Sequence, residues 1–274
     1  MKKITTVRTP ALAGVVREAN ERAAIAEIKN CFYHGADMID LHMSCLDKSD
    51  VDTLKRIVDS TPLPVLALNY NMGSSWEPLN LNEEDRVAYF KRAIEAGAAG
   101  IDMQGYTFHA ESKAQYLGDE GHSFASVKPF EVVTDSAIID KQCELIEWVH
   151  GHGAEVLLSC HPGKVMNCEQ IVDLALFLEK RNPDVIKLVS LAETDEDLIE
   201  AFKTMTTLKK EVKTAVSFHV GGAKGDLSRI INPILGGHMI FCVDSYDSNS
   251  TLGQLDLQTT RQIIDGMKKV GGMI

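Results

Sequence analysis

The sequence predicts an α/β chain folded as a (β/α)8 TIM barrel, and three observations carry that expectation. Eight short runs rich in Val, Ile and Leu recur along the 274 residues, each is followed by an amphipathic segment, and nothing between them reads as a linker or low-complexity spacer. Continuous apolar strands alternating with crossover helices are the pattern of a parallel sheet covered on both faces. Eight such units close the sheet, and about 250 residues is the usual size of the closed form. A doubly wound open sheet is the competing architecture, but the turn after the first strand lacks a GxGxxG fingerprint. The expectation is one barrel domain over residues 1–274.

The elements follow in order. Strand "ALAGVV" (11–16) precedes the helical pattern "ERAAIAEIKNCFYHG", and "DMIDLHM" (37–43) precedes "SDVDTLKRIVDS". "PVLALNY" (64–70) leads to "NEEDRVAYFKRAIEAG", and "AGIDMQ" (99–104) is the fourth strand, whose helix "TDSAIIDKQCELIEWVHGHG" comes much later. "AEVLLSC" (154–160) pairs with "CEQIVDLALFLEKR", "DVIKLVS" (184–190) with "TDEDLIEAFKTMTTLKK", "AVSFHV" (215–220) with "DLSRIINPILGG", and "HMIFCVD" (238–244) with "LDLQTTRQIIDGMKKVGG". Asn82 and Thr194 sit where N-caps belong, with acidic residues after them, and Gly35, Gly97 and Gly153 follow helices as C′ residues.

Composition excludes several function classes. A net charge of −11 leaves no clustered Lys and Arg for a broad hold on nucleic acid or an anionic membrane. No apolar run approaches membrane-spanning length and no leader pattern opens the chain, which reads as cytoplasmic. The six cysteines form no CxxC pair and no regular ladder, so they are expected to be reduced fillers rather than zinc ligands or disulfides.

One segment exceeds a minimal barrel. After the fourth strand an enlarged βα loop runs over about residues 105–133 before helical spacing returns. It falls on the C-terminal face, where barrel enzymes build their sites. Tyr106, His109, Tyr116 and His122 could line a pocket there or form a lid; a contact between copies, as in a homodimer, is the other reading.

Two stretches stand out chemically: "VLLSCHPGK" (156–164) and "PDVIKLVSLA" (183–192) each interrupt an apolar run with one ionisable residue, His161 and Lys187. Side chains on a barrel strand alternate between interior and helix layer, and both are apolar. A lysine enters such a place with a partner or a task, because burial penalises the ammonium. A neutral amine is what imine formation with a ketone or aldehyde needs. A lysine that only snorkels its head to solvent is the plainer alternative. His161, at the end of the neighbouring strand about 5 Å away, can reach the carbon beside an imine. Imine protonation acidifies that C–H, and a histidine can take its proton at neutral pH.

The ordered series "MIDLHM", "VLLSCHPGK", "DVIKLVSLA", "LSRI" and "STLGQL" resembles type I 3-dehydroquinate dehydratase, whose corresponding segments read approximately E-L-R, S-x-H, V-K-I-A, S-R and P-G-Q. The likeness runs from about residue 35 to 265. It implies an imine-forming lyase on a (β/α)8 barrel, acting on a small-molecule keto acid without metal or organic cofactor. By position, Lys187 would be the imine lysine and His161 the general acid/base. Arg229 would bind the substrate carboxylate, Gln254 and Ser250 would close on that end, and Asp40, His42 and Tyr70 would line the distal side.

The departures from the family pattern are concentrated at that distal side. Asp40-x-His42 stands where the family has Glu-x-Arg, and "LNYN" places Tyr70 or an asparagine where it has a second arginine. Neither imidazole nor phenol reproduces a guanidinium fork. The loop "HVGGAKGDLSR" is slightly longer, and the fourth βα loop is enlarged. Three other readings remain open. Asp40, His42, Asp102, His161, His219 and Asp244 fall near strand ends and could build a metal-dependent isomerase or aldolase. "GGAKGDLSR" could present amides to the phosphate of a sugar phosphate handled by an aldolase-type imine. A non-catalytic binding protein on the same barrel is the third.

Overall fold

The structure, a computed structural model, describes residues 2–70, 81–109, 133–246, 250 and 253–271. Strands β1 (Ala11–Val16), β2 (Met38–His42), β3 (Val65–Leu68), β4 (Gly100–Gln104), β5 (Glu155–Cys160), β6 (Val185–Leu191), β7 (Ala215–Gly221) and β8 (Met239–Val243) are all parallel to their neighbours. Helices α1 (Glu21–Tyr33), α2 (Val51–Asp59), α3 (Glu83–Glu95), α4 (Ser136–Gly151), α5 (Cys168–Glu179), α6 (Asp195–Glu211), α7 (Ser228–Ile234) and α8 (Leu257–Lys269) alternate with them. The sheet runs β7-β6-β5-β4-β3-β2-β1-β8, with a ninth strand, β9 (Leu255–Asp256), against β8. Its curl brings β7 back to β8: His238 N–H donates to Val216 O at 2.8 Å, and Ser217 Oγ–H to Met239 O at 3.1 Å. The expected TIM-barrel class is what the chain adopts, and β9 is the addition that periodicity did not announce.

Local signals explain the boundaries. Asn82 accepts from Asp85 N at 2.7 Å, and Thr194 and Asp197 form a reciprocal capping box, each satisfying helix-start amides that have no partner within the helix. Gly35, Gly97 and Gly153 follow α1, α3 and α4 at φ of 94°, 96° and 76°. All six cysteines are free.

Alternation along the strands sorts the core into two layers. Leu12, Ile39, Ile101, Leu158, Ile186 and Phe218 pack outward under the helices. Ala13, Met38, Leu66, Leu157, Val185 and Met239 fill the barrel floor, with Ile4 beneath them. Glu155, at the start of β5, ties down the N-terminal segment by accepting from Thr5 N at 3.0 Å and Thr5 Oγ1 at 2.5 Å. The same inward parity that fills the floor with apolar groups carries polar ones toward the strand ends. Lys187 lies two residues beyond Val185, so it points into the barrel.

Candidate active site

In strand register Ser159 pairs with Lys187 and Lys187 with Ser217, so a lysine flanked by two serines forms one inward layer. Cys160 pairs with Leu188 and Val189 with His219, which sets His161, Val189 and His219 in the next layer toward the mouth. Asp40, His42, Tyr70, His161, Lys187, Arg229 and Gln254 line one cavity, together with Leu68, Val189, His219 and Phe241. Those are seven of the eight site residues the sequence singled out. The eighth, Ser250, lines an adjoining cavity with Arg17 and Glu18, and Gln254 borders both.

Lys187 is 7% exposed. Its Nζ stands 3.5 Å from Asp102 Oδ2 and 4.3 Å from the Phe241 ring centroid. Asp102 is fully buried, and its Oδ1 accepts from Ser159 Oγ at 2.6 Å and Gln104 Nε2 at 3.3 Å. Burial drives its carboxyl above the usual carboxylate range, while the Lys187 charge pulls the other way. His161 is buried completely, and burial, reinforced by Lys187 and Arg229, holds it well below the usual histidine value. His219 is held down by burial, then by Arg229, Lys187 and His161. Both imidazoles are therefore neutral near pH 7, as a base requires.

The distal wall is polar and ordered. His42 Nε2 lies 3.2 Å from Asp40 Oδ2; a carboxylate only accepts, so Nε2 is the donor. The Tyr70 ring stands edge-on to His42 at 6.0 Å and to His161 at 6.3 Å between centroids. Opposite, the serine of the Ser-Arg pair is a fastener. Ser228 Oγ–H donates toward Gly225 O at 2.6 Å and Val220 O at 3.1 Å, and Oγ accepts from Val220 N at 2.9 Å, which delivers Arg229 to the cavity. Gly253 has φ 75°, and a Cβ there would come within 2.4 Å of Asp226 Oδ1 and 3.1 Å of Arg229 Nε. Only glycine allows that turn to pass so close to the guanidinium.

Several sequence expectations meet a different structure. Asp244 pairs with Nδ1 of His34, the residue that follows α1, and is not among the cavity residues, which separates it from the other strand-end donors. Among the described residues no three His, Cys, Asp or Glu side chains are grouped to hold a metal ion. The amides of Lys224, Gly225, Ser228, Arg229 and Ile230 already donate to backbone carbonyls and do not open onto a phosphate. Tyr106 is fully buried with its ring 5.0 Å from the Arg86 guanidinium, so it neither lines the cavity nor forms a lid. Tyr116 and His122, with most of the 105–133 loop, lie outside the described residues. Asp102 was legible only as a metal-donor candidate, and Gln104, Ser159 and Phe241 were missed. The signal was available: each shares the inward parity of its strand.

A parallel barrel whose interior carries a buried lysine, a carboxylate beside it and a neutral histidine one layer above holds the groups that imine chemistry on a carbonyl compound uses. The model of the family Type I 3-dehydroquinase matches residues 13–270, and the chain belongs to that family of carbon–oxygen lyases. It is 25% identical over 231 residues to a 3-dehydroquinate dehydratase of Desulfotalea psychrophila, covering 84% of this chain and 86% of the relative. The fold matches the type I 3-dehydroquinate dehydratase of Clostridium difficile, crystallised with covalently modified comenic acid, at a TM-score of 0.73. Identity there is 13%, over 96% of this chain and 94% of the other. The Geobacillus kaustophilus enzyme matches at 0.71 and 12%, over 98% and 99%. No helix among the described residues is long and apolar enough to cross a membrane.

Proposed function

We propose that this chain acts as a single barrel domain in the cytoplasm, dehydrating 3-dehydroquinate or a related β-hydroxy keto acid through an imine on Lys187. The observation that supports this most is the buried Lys187 amine, with His161 projecting from the adjacent strand one layer above it. The lysine captures the ketone, His161 removes the α-proton and helps the β-hydroxyl leave as water, and no cofactor is required. Borohydride added with 3-dehydroquinate should leave a stable mass on the protein, located at Lys187 by peptide mapping. An unmodified protein after such treatment, across a panel of keto acids, would refute the imine.

Arg229 holds the substrate carboxylate in this reading. Arg229→Ala should weaken binding by about 1.5 to 3 kcal/mol, the usual worth of a hydrogen bond to a charged group. Isothermal titration with a non-reacting carboxylate analogue reads this directly, and unchanged affinity would remove Arg229 from the role.

The distal wall sets substrate choice. His42 is already committed to Asp40, so it offers the substrate one ring nitrogen where a guanidinium would offer a fork. A site that leaves ligand hydroxyls unpaired rejects that ligand strongly. Dehydration of 3-dehydroquinate is expected to be slow or undetectable, and a keto acid whose far end suits an imidazole and a phenol should turn over better. Steady-state assays on cyclic and linear β-hydroxy keto acids decide this. A kcat/KM for 3-dehydroquinate at or above about 10⁵ M⁻¹s⁻¹, within the ordinary enzyme range, would show that His42 and Tyr70 compensate.

A further inference from the structure

We propose that Asp102 takes the surplus proton from Lys187 before the imine forms and returns it to the departing carbonyl oxygen, with Gln104 and Arg86 as positioning residues that hold it for this task. Lys187 must be the imine lysine for this to hold. Imine formation begins with an amine, and a lysine buried in a barrel has little contact with the bulk water that would otherwise exchange its proton. The carboxylate 3.5 Å away is a buried acceptor placed to receive it. A buried charged pair is costly to desolvate, and transfer of one proton converts it to a neutral pair without exporting charge.

The steps balance. A Lys187 N–H bond breaks and an Asp102 O–H bond forms. The amine lone pair then makes the N–C bond as the carbonyl π bond opens, and a proton passes from nitrogen to that oxygen to give the carbinolamine. Asp102 protonates the hydroxyl, the C–O bond breaks, water leaves, and the protonated imine remains beside a regenerated carboxylate.

The surroundings of Asp102 look built for a carboxyl that must keep one position while its charge changes. Arg86, fully buried on α3, is a donor only. It donates through Nη1 to Gln104 Oε1 and to Asn69 O at 3.0 Å, and through Nη2 to Thr107 Oγ1 at 2.7 Å and Glu83 Oε2 at 2.9 Å. With its oxygen held by the guanidinium, the Gln104 amide must turn Nε2 toward Asp102, where it donates to the backbone O at 2.7 Å and to Oδ1 at 3.3 Å. Oδ1 is fixed in this way by Gln104 and Ser159, and Oδ2 faces the amine. Besides Lys187 and Arg86, the groups bearing on Asp102 come from β2: Asp40 makes its carboxyl harder to ionise and His42 easier.

The test is the rate of borohydride trapping with 3-dehydroquinate, using the full chain, from about pH 6 to pH 10. Asp102→Asn should trap roughly 10²- to 10⁴-fold more slowly at pH 7, the worth of a positioned acid/base, because an amide cannot protonate the carbinolamine hydroxyl. Ser159→Ala is a milder second variant. It removes a donor that favours the ionised carboxyl, so the acid limb of the trapping profile should move to higher pH. A purely structural pair would lower yield or thermal stability and leave that limb in place. Wild-type trapping rates in Asp102→Asn at every pH, or an unmoved acid limb in Ser159→Ala, would overturn the role of Asp102. Wild-type protein that forms no adduct with 3-dehydroquinate or with any other keto acid of the panel would sink the imine itself.

Discussion

Lys187→Met is expected to abolish both the borohydride adduct and turnover while leaving the barrel folded. Methionine keeps the aliphatic stem but loses the nitrogen that stands over the Phe241 ring, and its thioether cannot form an imine with a ketone. Losing a covalent nucleophile can cost on the order of 10⁶-fold in kcat, so residual activity should fall to background. Stability is the confounding quantity, because removing one member of a buried pair strands the other. Here the stranded group is Asp102, whose carboxyl burial already pushes upward. Without the lysine charge opposing that push, it takes a proton and becomes neutral rather than remaining a buried anion. The variant should therefore give a cooperative thermal transition by circular dichroism alongside an empty mass spectrum. Retained turnover, or wild-type activity lost to a chelator and restored by a divalent metal, would favour the metal-dependent reading.

The fold was readable from the chain because barrel strands are nearly uniform in chemistry. β6 was expected at 184–190 and is Val185–Leu191; β2 was expected at 37–43 and is Met38–His42. Misreadings occur where side chains other than apolar ones decide the backbone. The seventh helix was expected from Asp226, but Ser228 Oγ grips the end of β7, and residues 222–227 form tight turns before the helix starts at Ser228. β9 is two residues long, too short for any periodicity, and exists because the chain runs beside Cys242 and Val243 before Asp256 caps α8.

The site was legible where chemistry demands an unusual residue and obscure where it does not. A lysine between Ile186 and Leu188 is conspicuous because burial makes it costly. Asp102 sits in a comparable run, "GIDMQ", yet aspartate near a strand end is common and invites many explanations. What singles it out is the inward parity of β4 combined with that of β6, a relation between strands 85 residues apart in sequence and invisible to a local pattern. Arg86 was further hidden, since a charged residue in the first turn of an amphipathic helix reads as solvent-facing until Gln104, Asn69 and Thr107 are seen around it.

His161→Ala should separate imine formation from the chemistry that follows it. With Lys187 and Asp102 intact, the borohydride adduct should form as in the wild-type protein, while exchange of the substrate α-proton with solvent deuterium slows by about 10²- to 10⁴-fold. The low proton affinity that burial and the neighbouring cations impose on His161 has two opposing consequences. It makes the imidazole a weaker base, which the acidified C–H beside a protonated imine tolerates. It also keeps the imidazole unprotonated as the pH falls, so the base stays available below the ordinary histidine value of about 6.5. The sign follows directly: a depressed value places the acid limb of kcat/KM that belongs to His161 below pH 6.5, and the alanine variant should lose that limb. Mass-spectrometric deuterium uptake and a pH profile on the same preparation read both effects. Normal turnover in His161→Ala would mark the residue as a buried structural histidine, and an acid limb above pH 6.5 would mean that some other group is the base.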